Sequence, residues 1–250
     1  MLNLEEQRIR HKSWLVDKLE PTLLFIHGAG GSHKFWDYQL RFFNNAIAVD
    51  LAGHNLGVGK SSIDAYVEEV KRFCDENKLS NIVTIGHSMG GGIAQKFALD
   101  YQEYLKAIVL VCTGAKLRVA PVIMAATKEN YAQAIELITK VAFFGKASCE
   151  IRKRVAEEMM RISPEVTYGD FEACNKFNVM GRLKEMKLPT LIICGLEDQV
   201  TPVKYSEYLR NNIPNSRLET IADAGHMVML EKPEELNVKL EKFIKELAYR

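Results

Sequence analysis

Residues 81–95, with the sequence NIVTIGHSMGGGIAQ, constrain the fold more than any other stretch of this chain. Positions 81–85 are a short run of mainly β-branched and apolar residues, which is typical of a buried strand. The run stops at Gly86, and after three further glycines positions 93–99 favour a helix. The stretch therefore predicts a strand, a sharp turn and a helix, with Ser88 at the apex of the turn.

The glycines around Ser88 give this turn a chemical meaning. Gly86 and Gly90, two positions before and after the serine, relieve the crowding that a strained turn imposes on the backbone. The N-terminus of the following helix directs N–H groups toward the serine. A strand and a helix on either side of G-x-S-x-G indicate a nucleophile, whereas the alternative is a glycine-rich turn whose serine only caps the helix.

The composition limits the classes of protein to which the chain can belong. Its 250 residues fit one α/β domain, with room for an inserted subdomain. The formal net charge of +1, without any run of like charge, argues against a nucleic acid or an anionic membrane as partner. The first residues lack an apolar signal-peptide core, and no apolar run approaches about 18 residues, so we expect no membrane span.

The cysteines indicate a reducing environment. Their number is odd and no C-x-x-C spacing occurs: Cys74, Cys112, Cys149, Cys174 and Cys194. We expect reduced thiols, most of them in the core of a cytoplasmic protein, and neither a disulfide framework nor a zinc or other metal site.

Short apolar strands alternate with helices along most of the chain. Strands are predicted at 22–26, 46–50, 81–85, 107–112, 189–194 and 218–221. Helices are predicted at 34–43, 63–77, 93–100, 203–211 and 233–248, and the polar segment 9–19 is interpreted as an edge hairpin or strand. This alternation predicts an α/β fold with a mostly parallel, twisted sheet flanked by helices.

The alternation stops in the middle of the chain. From 113 to about 187 no run resembles a buried strand, and helical stretches are predicted at 120–144, 147–161 and 168–177. We interpret residues 113–187 as a helical cap, or lid, inserted into one sheet. Residues 1–112 and 188–250 then form the core that carries the sheet.

Two residues near the C-terminus are candidates to work with Ser88. A serine hydroxyl needs a base to take its proton, and that base needs a carboxylate to orient it. His226 follows the last predicted strand, at the sheet edge where open α/β sheets place their sites. Asp198 lies at the equivalent place after the preceding strand, and Glu197 and Asp223 are its competitors.

The chain resembles the α/β-hydrolase fold superfamily, in particular compact esterase and lipase-like members with a helical lid. The resemblance runs nearly end to end through five motifs in order: HGAGGS at 27–32, Asp50 with Gly53 and His54, GHSMGG at 86–91, GLEDQVTP at 195–202 and GHMVMLEKPEE at 225–235. The chain order Ser88, Asp198, His226 is also that of the family.

The resemblance implies an oxyanion hole made of two backbone N–H groups. One is that of Met89, and the other comes from the loop after the first strand, where Ala29 is favoured by position and Gly30 is the alternative. The loop at 50–61 departs from the family pattern, because Asn55 stands where a second glycine is expected and residues 56–60 are extra length.

A substrate pocket is predicted with less detail. Apolar residues of the predicted cap, Phe143 and Phe144, are candidates to line an acyl pocket. The other candidates lie in the motifs: Gly28, Gly30, Val200 and Met227.

These features predict a serine hydrolase that cleaves a small-molecule carboxylic ester with an apolar acyl group, as a monomer or homodimer and without any cofactor. The same triad serves carbon–carbon bond hydrolysis, enol-lactone hydrolysis and cofactor-free perhydrolase chemistry, which stay open. Carbon–carbon hydrolases of this fold use an arginine near the serine, but the first arginine after Ser88 is Arg118. A non-enzymatic ligand receptor is disfavoured because all three triad members are present.

Overall fold

Six strands form one parallel sheet in the computed structural model, which describes residues 20–55 and 57–247. The strands are β1 Thr22–Ile26, β2 Ala46–Val49, β3 Ile82–His87, β4 Leu105–Val111, β5 Thr190–Gly195 and β6 Ser216–Ile221. Their order across the sheet is β2-β1-β3-β4-β5-β6, and each neighbouring pair is parallel. The predicted parallel sheet is confirmed, and the edge element predicted at 9–19 lies outside the described residues.

Within the described residues, ten α-helices connect and cover these strands. They are α1 Asp37–Phe42, α2 Ile63–Glu76, α3 Met89–Asp100, α4 Pro121–Glu129, α5 Tyr131–Ala142, α6 Cys149–Met159, α7 Pro164–Lys176, α8 Val203–Asn212, α9 Val228–Glu231 and α10 Pro233–Leu247. Short 3-10 helices span His33–Trp36, Gln102–Tyr104 and Met180–Glu185. Within the described ranges, no helix is long and apolar enough to cross a bilayer.

The sheet is buried on both faces because alternate strand residues feed two separate cores. Leu24 and Ile26 of β1 belong to the cluster that includes residues of α2, α3 and α8. Leu23 and Phe25 belong to the cluster on the other face, with residues of α9 and α10. This period of two is what a strand imposes, and burial of both faces explains the continuous apolar runs of β1, β3, β4 and β5.

The helices α4 to α7, which lie between β4 and β5 in the chain, are here called the intervening helices. The predicted stretch 120–144 is two helices, separated at Asn130, whose side chain caps α5 by accepting a hydrogen bond from Gln133 N. The stretch predicted at 168–177 begins earlier, because Ser163 and Pro164 supply an N-cap and a first helical residue. Their role as a cap stays a prediction.

Candidate active site

Ser88 lies on a sharp turn between β3 and α3. Its backbone has φ 53° and ψ −115°, a conformation that residues with a side chain rarely adopt. A Cβ atom on Gly86 would lie 2.2 Å from the Gly90 oxygen, and one on Gly90 would lie 2.3 Å from the Ile26 oxygen. The turn therefore requires both glycines. The Ser88 side chain makes no capping hydrogen bond to α3, which contradicts the capping alternative.

The end of β4 holds the backbone of this turn in place. Ser88 N donates a hydrogen bond to Val111 O at 3.0 Å, and the Thr113 hydroxyl donates to Ser88 O at 2.7 Å. The Ser88 side chain is half-buried, and its hydroxyl makes no hydrogen bond to another residue of the described ranges. Hydrogen bonds with Val111 and Thr113 thus hold the strained backbone of Ser88, while its hydroxyl remains available for chemistry.

Asp198 and His226 meet at the carboxyl edge of the sheet. Asp198 follows β5 and His226 follows β6, and Asp198 Oδ2 lies 2.8 Å from His226 Nδ1. Both residues are buried. Because an ionised carboxylate only accepts hydrogen bonds, the Nδ1 proton lies between the two groups. A neutral imidazole in this tautomer leaves Nε2 free to accept a proton.

Three further donors keep the Asp198 carboxylate ionised. Val200 N and Thr201 N donate to Oδ1 at 2.8 and 2.9 Å, and the Thr201 hydroxyl donates to Oδ2 at 2.8 Å. Burial raises the pKa of Asp198, but the charge of His226 and the hydrogen bonds from His226 and Thr201 outweigh it and lower the pKa to about 2. Sequence reasoning included Thr201 in the motif at 195–202 without giving it a role.

The two competing carboxylates do not contact His226. Glu197 is exposed, and its backbone N–H donates a hydrogen bond to Ala224 O at 2.9 Å. Asp223 is exposed, has a positive φ of 52° that shapes the turn before His226, and pairs with Lys146 Nζ at 3.1 Å. The structure therefore brings Asp198, and neither competitor, to the imidazole.

The end of α5 supports the loop that carries His226. Ala142 O accepts hydrogen bonds from His226 N at 2.8 Å and from Met227 N at 3.2 Å. One carbonyl of the intervening helices thus fixes the backbone of the candidate base. Met227, a predicted pocket residue, is itself buried.

Glu231 strengthens the same junction. Its Oε1 accepts from Gly225 N at 3.0 Å, and its Oε2 accepts from Phe144 N at 2.8 Å. Burial raises the pKa of Glu231, although these backbone hydrogen bonds oppose the change. A Cβ on Gly225 would lie 2.6 Å from Phe144 N, so glycine is needed for the close approach. Sequence reasoning included Glu231 in a motif without giving it a role.

The aromatic residues predicted for the pocket differ in burial. Phe143 is buried within the core cluster, with the Arg152 guanidinium 5.2 Å from its ring centroid. Phe144 is half-buried, with Lys146 Nζ 5.6 Å from its ring centroid. Val200 is 38% exposed and contributes its N–H to Asp198. Their role as a pocket stays a prediction.

The loop after β1 packs against the turn that carries Ser88. A Cβ on Gly28 would lie 3.2 Å from Ser88 Cβ, so this loop passes directly beside the serine. Gly30 N donates to Asp170 Oδ2 at 2.8 Å and is therefore occupied. The N–H groups of Ala29 and Met89 have no acceptor within the described part of the chain. Of the two candidates in the loop, Ala29 is the one with a free donor.

Two buried neutral histidines, His27 and His87, form hydrogen bonds with the backbone of the loops around Ser88. His27 accepts from Leu51 N at Nε2 (3.1 Å), so its proton lies on Nδ1, which donates to Gly28 O at 2.8 Å. Burial, with the nearby charge of His54, lowers the pKa of His27 to about 4. His87 donates from Nε2 to the His226 oxygen at 3.0 Å, and the two rings lie 4.6 Å apart.

Cys112 completes the surroundings of Asp198 and His226. Its sulfur, the Asp198 carboxylate and the His226 imidazole lie within 4.8 Å of one another, and among the described residues they form the one group of three or more potential metal ligands this close together. Burial raises the pKa of the Cys112 thiol well above its usual value, so the sulfur stays protonated. Asp198 and His226 already bind each other, and Cys112 is better described as packing against this pair.

The sequence profile of a protein family described as alpha/beta hydrolase fold matches residues 21–233. The chain belongs to this family. Among solved structures, one described as a thermophilic esterase is 34% identical, with a TM-score of 0.82 and coverage of 91% of both chains. The membership accounts for the order of the elements and for the edge of the sheet at which Ser88, Asp198 and His226 lie.

Characterised α/β-hydrolases with similar sequences act on more than one kind of substrate. A 3-oxoadipate enol-lactonase from Acinetobacter baylyi is 26% identical over 238 residues, which cover 90% of this chain and 89% of the relative. The monoacylglycerol lipase ABHD6 from Bos taurus is 25% identical over 244 residues, covering 86% of this chain and 72% of the relative. A hydrolase is therefore indicated, while the class of substrate is a separate question.

Proposed function

We propose that this α/β-hydrolase is a serine carboxylesterase that cleaves esters with an apolar acyl group. The observation that carries the proposal is the 2.8 Å hydrogen bond from His226 Nδ1 to Asp198. Ser88, held at φ 53° on its turn, is linked to this pair through the adjacent His87, which donates to the His226 oxygen at 3.0 Å. This arrangement supplies a base, His226, a carboxylate that orients it, Asp198, and a serine hydroxyl that makes no hydrogen bond to another described residue. Such a constellation serves nucleophilic catalysis.

The reaction follows from these positions. His226 Nε2 takes the proton of Ser88 as the serine oxygen attacks the ester carbonyl. The hydrogen bond between Ser88 Oγ and His226 Nε2 that this requires forms when substrate is bound. The N–H groups of Met89 and Ala29 hold the oxyanion, and each such donor contributes about 10²–10³ in rate. Protonated His226 then releases the alcohol, and a water activated by the same residue cleaves the acyl-enzyme.

Asp198 remains ionised throughout this cycle. With its pKa held at about 2, it orients the Nδ1 proton of His226 and stabilises the imidazolium without taking the proton. The chemistry requires neither a metal ion nor an organic cofactor. In this proposal residues 113–187 form the cap over the site and decide which acyl chains enter.

The apolar acyl group is supported by the relatives and by the surroundings of the loop after β1. A monoacylglycerol lipase and an esterase are among the similar proteins. On the side of the intervening helices, a Cβ on Gly30 would lie 3.1 Å from Met159 Cε and 3.2 Å from Thr167 Cγ2. Carbon atoms of the cap thus lie directly against the loop that is to bind the oxyanion.

Lactone hydrolysis is the second candidate, because one relative is an enol-lactonase that matches 90% of this chain. A lactone is an internal ester, so the same three residues suffice and only the leaving alcohol stays attached. Carbon–carbon bond hydrolysis has less support, since Arg118 is exposed and donates to Asn175 O rather than lying near Ser88.

We also propose that the protein acts in the cytoplasm. Its five cysteines are all free, four of them buried, which suits a reducing compartment.

The test is hydrolysis of p-nitrophenyl esters from acetyl to palmitoyl, with an aliphatic lactone and an enol-lactone in parallel. We expect activity that peaks at one acyl length and falls about 10⁴-fold or more in Ser88→Ala. Ser80→Ala is the matched control, because Ser80 is exposed at the opposite end of β3. Faster turnover of a lactone than of every ester would favour the second candidate, and undiminished activity in Ser88→Ala would overturn both.

A further inference from the structure

Asp170 joins the intervening helices to three parts of the sheet domain. It lies on α7, is fully buried, and its carboxylate accepts three hydrogen bonds. Gly30 N and His54 Nε2 donate to Oδ2, each at 2.8 Å, and the Tyr66 hydroxyl donates to Oδ1 at 2.5 Å. The donors come from the loop after β1, the loop after β2 and helix α2. The Asp170 side chain therefore links these three segments to α7.

The partners of His54 show that this junction is an ion pair. His54 Nε2 faces Asp170, and Nδ1 faces the oxygens of Leu51 at 3.2 Å and Ala52 at 3.3 Å, so both ring nitrogens face acceptors. A neutral imidazole would leave one nitrogen against an acceptor without a proton, whereas an imidazolium satisfies both. Burial lowers the pKa of His54, but the Asp170 charge and hydrogen bond outweigh it and raise the pKa above its ordinary value.

Stability alone is a poor explanation for this pair. The side chains of His54 and Asp170 are both fully inaccessible to solvent. Removing two charges from water is costly, and well-packed apolar residues of similar volume are often at least as stabilising as a buried ion pair. The position of the pair gives a better reason, because the same Asp170 oxygen that binds His54 also binds the candidate oxyanion loop.

The hydrogen bond to Gly30 fixes the orientation of this loop. Gly30 has a φ of 62°, and its N–H is held by Asp170 on the side of the intervening helices. The preceding N–H, that of Ala29, has no acceptor among the described residues, and Gly28 passes beside Ser88. Holding Gly30 N on one side leaves the Ala29 N–H available on the other.

We propose that Asp170 is a positioning residue for the oxyanion hole. From α7 its carboxylate, balanced by His54, holds Gly30 N so that the Ala29 N–H is directed at the carbonyl oxygen attacked by Ser88. This inference rests on the proposed serine mechanism. The Ala29 N–H binds most strongly when negative charge has developed on the carbonyl oxygen in the transition state. Loss of Asp170 therefore lowers kcat and leaves KM nearly unchanged.

The test compares Asp170→Ala with Asp170→Asn on the best p-nitrophenyl ester. Asp170→Ala removes the acceptor for Gly30 N, and we expect kcat to fall about 100-fold with KM within about threefold of wild type. Asp170→Asn keeps an amide oxygen at this place, so it restores kcat to within about tenfold of wild type. Reaction with a fluorophosphonate counts active sites, so that kcat refers to folded enzyme only.

Glu158→Gln is the matched control. Glu158 lies on α6 and accepts from the Ser32 hydroxyl at 2.9 Å and from Lys34 Nζ at 3.0 Å, so it also joins an intervening helix to the segment after β1. It has no hydrogen bond to Gly30. We expect kcat within about twofold of wild type in this variant. Tyr66→Phe, which spares the Gly30 bond, is the second control and should keep kcat within about threefold.

The outcomes separate this inference from the proposed function. If Ser88→Ala abolishes activity while Asp170→Ala retains the wild-type kcat, the positioning role is wrong and the esterase stands. An equal loss in Glu158→Gln and Asp170→Ala, or a change in KM alone, also overturns the positioning role. Undiminished activity in Ser88→Ala overturns both. Should Asp170→Ala fail to fold, the double variant Asp170→Leu with His54→Leu decides, because it removes the acceptor for Gly30 N without leaving a buried charge unpaired. A loss of kcat at unchanged KM in this variant supports the role, and a wild-type kcat contradicts it.

Discussion

Individual histidines in this protein differ in charge because of the atoms that face them. His27 has one donor and one acceptor as partners, which suits a neutral ring, and burial lowers its pKa to about 4. His54 has only acceptors as partners, and the Asp170 carboxylate raises its pKa. The ring centroids lie 4.6 Å apart with the ring planes tilted by 57°, so a charged and a neutral imidazole are neighbours beside the candidate oxyanion loop.

We predict that His27 titrates near pH 4 and His54 above pH 6.5, as measured by the pH dependence of their ring carbon and proton NMR shifts. Because the pKa of folded His27 lies below the ordinary value of 6.5, its contribution to stability is present above pH 6.5. That contribution is lost as the pH falls toward 4, at up to about 1.4 kcal/mol per pH unit. Titration of both rings together near pH 6.5 would contradict this assignment. Spectra of the His27→Gln variant provide the assignment control.

At the scale of elements, the strand–turn–helix around Ser88 depends on two glycines that have no room for a side chain. We predict that Gly86→Ala lowers the free energy of unfolding by more than about 3 kcal/mol, because its Cβ would lie 2.2 Å from the Gly90 oxygen. Gly145→Ala is the control, since no atom lies within 4 Å of its Cβ position, and its change should stay within about 0.5 kcal/mol. Urea unfolding measures both. Equal stability of the two variants would show that the turn can relax.

The elements near the sheet were predictable because each is a local pattern. The run at 81–85, its glycines and the following helix are encoded within fifteen residues, and Asp198 and His226 each follow an apolar strand. The break at Asn130 was missed, because a residue that caps α5 also fits the interior of a polar helix face. Helix α7 was placed too late, since its start depends on Ser163 and Pro164 rather than on apolar spacing.

Asp170 could not be identified from its own neighbourhood. It stands within the helical sequence PEVTYGDFEACNK, where an aspartate is ordinarily a solvated residue on a polar face. Its donors are up to 140 positions away, so only the packing of α7 on the loops after β1 and β2 reveals its role. Helix α7 also packs against part of the loop that follows β2, because Val166 lies against Gly53 and Gly59.

Across the whole molecule, burial of the thiols reflects the two cores on either side of the sheet. Cys74 and Cys174 lie in one apolar cluster, and Cys112 and Cys194 lie in the other. Cys149, the first residue of α6, is exposed. The four buried thiols therefore report on the integrity of both cores at once.

We predict that a thiol reagent such as 5,5′-dithiobis(2-nitrobenzoate) modifies one cysteine rapidly in the native protein and the other four only after unfolding in urea. The reason is that Cys149 is exposed while the remaining thiols are buried. The absorbance of the released thionitrobenzoate gives the count, and Cys149→Ser should abolish the rapid phase. Two or more rapid thiols in native protein would contradict the burial of the cores.

The junction between α5 and the loop that carries His226 constrains how new substrate ranges could be engineered into this protein. Ala142 O binds His226 N and Met227 N, and Glu231 ties Phe144 N to Gly225 N. A chimera that imports the helices of a relative as one block would replace one partner in three of these four hydrogen bonds and disturb the candidate base along with the predicted acyl pocket. Splice points placed so that residues 142–144 remain native would let the helical block be exchanged while the imidazole keeps its own support.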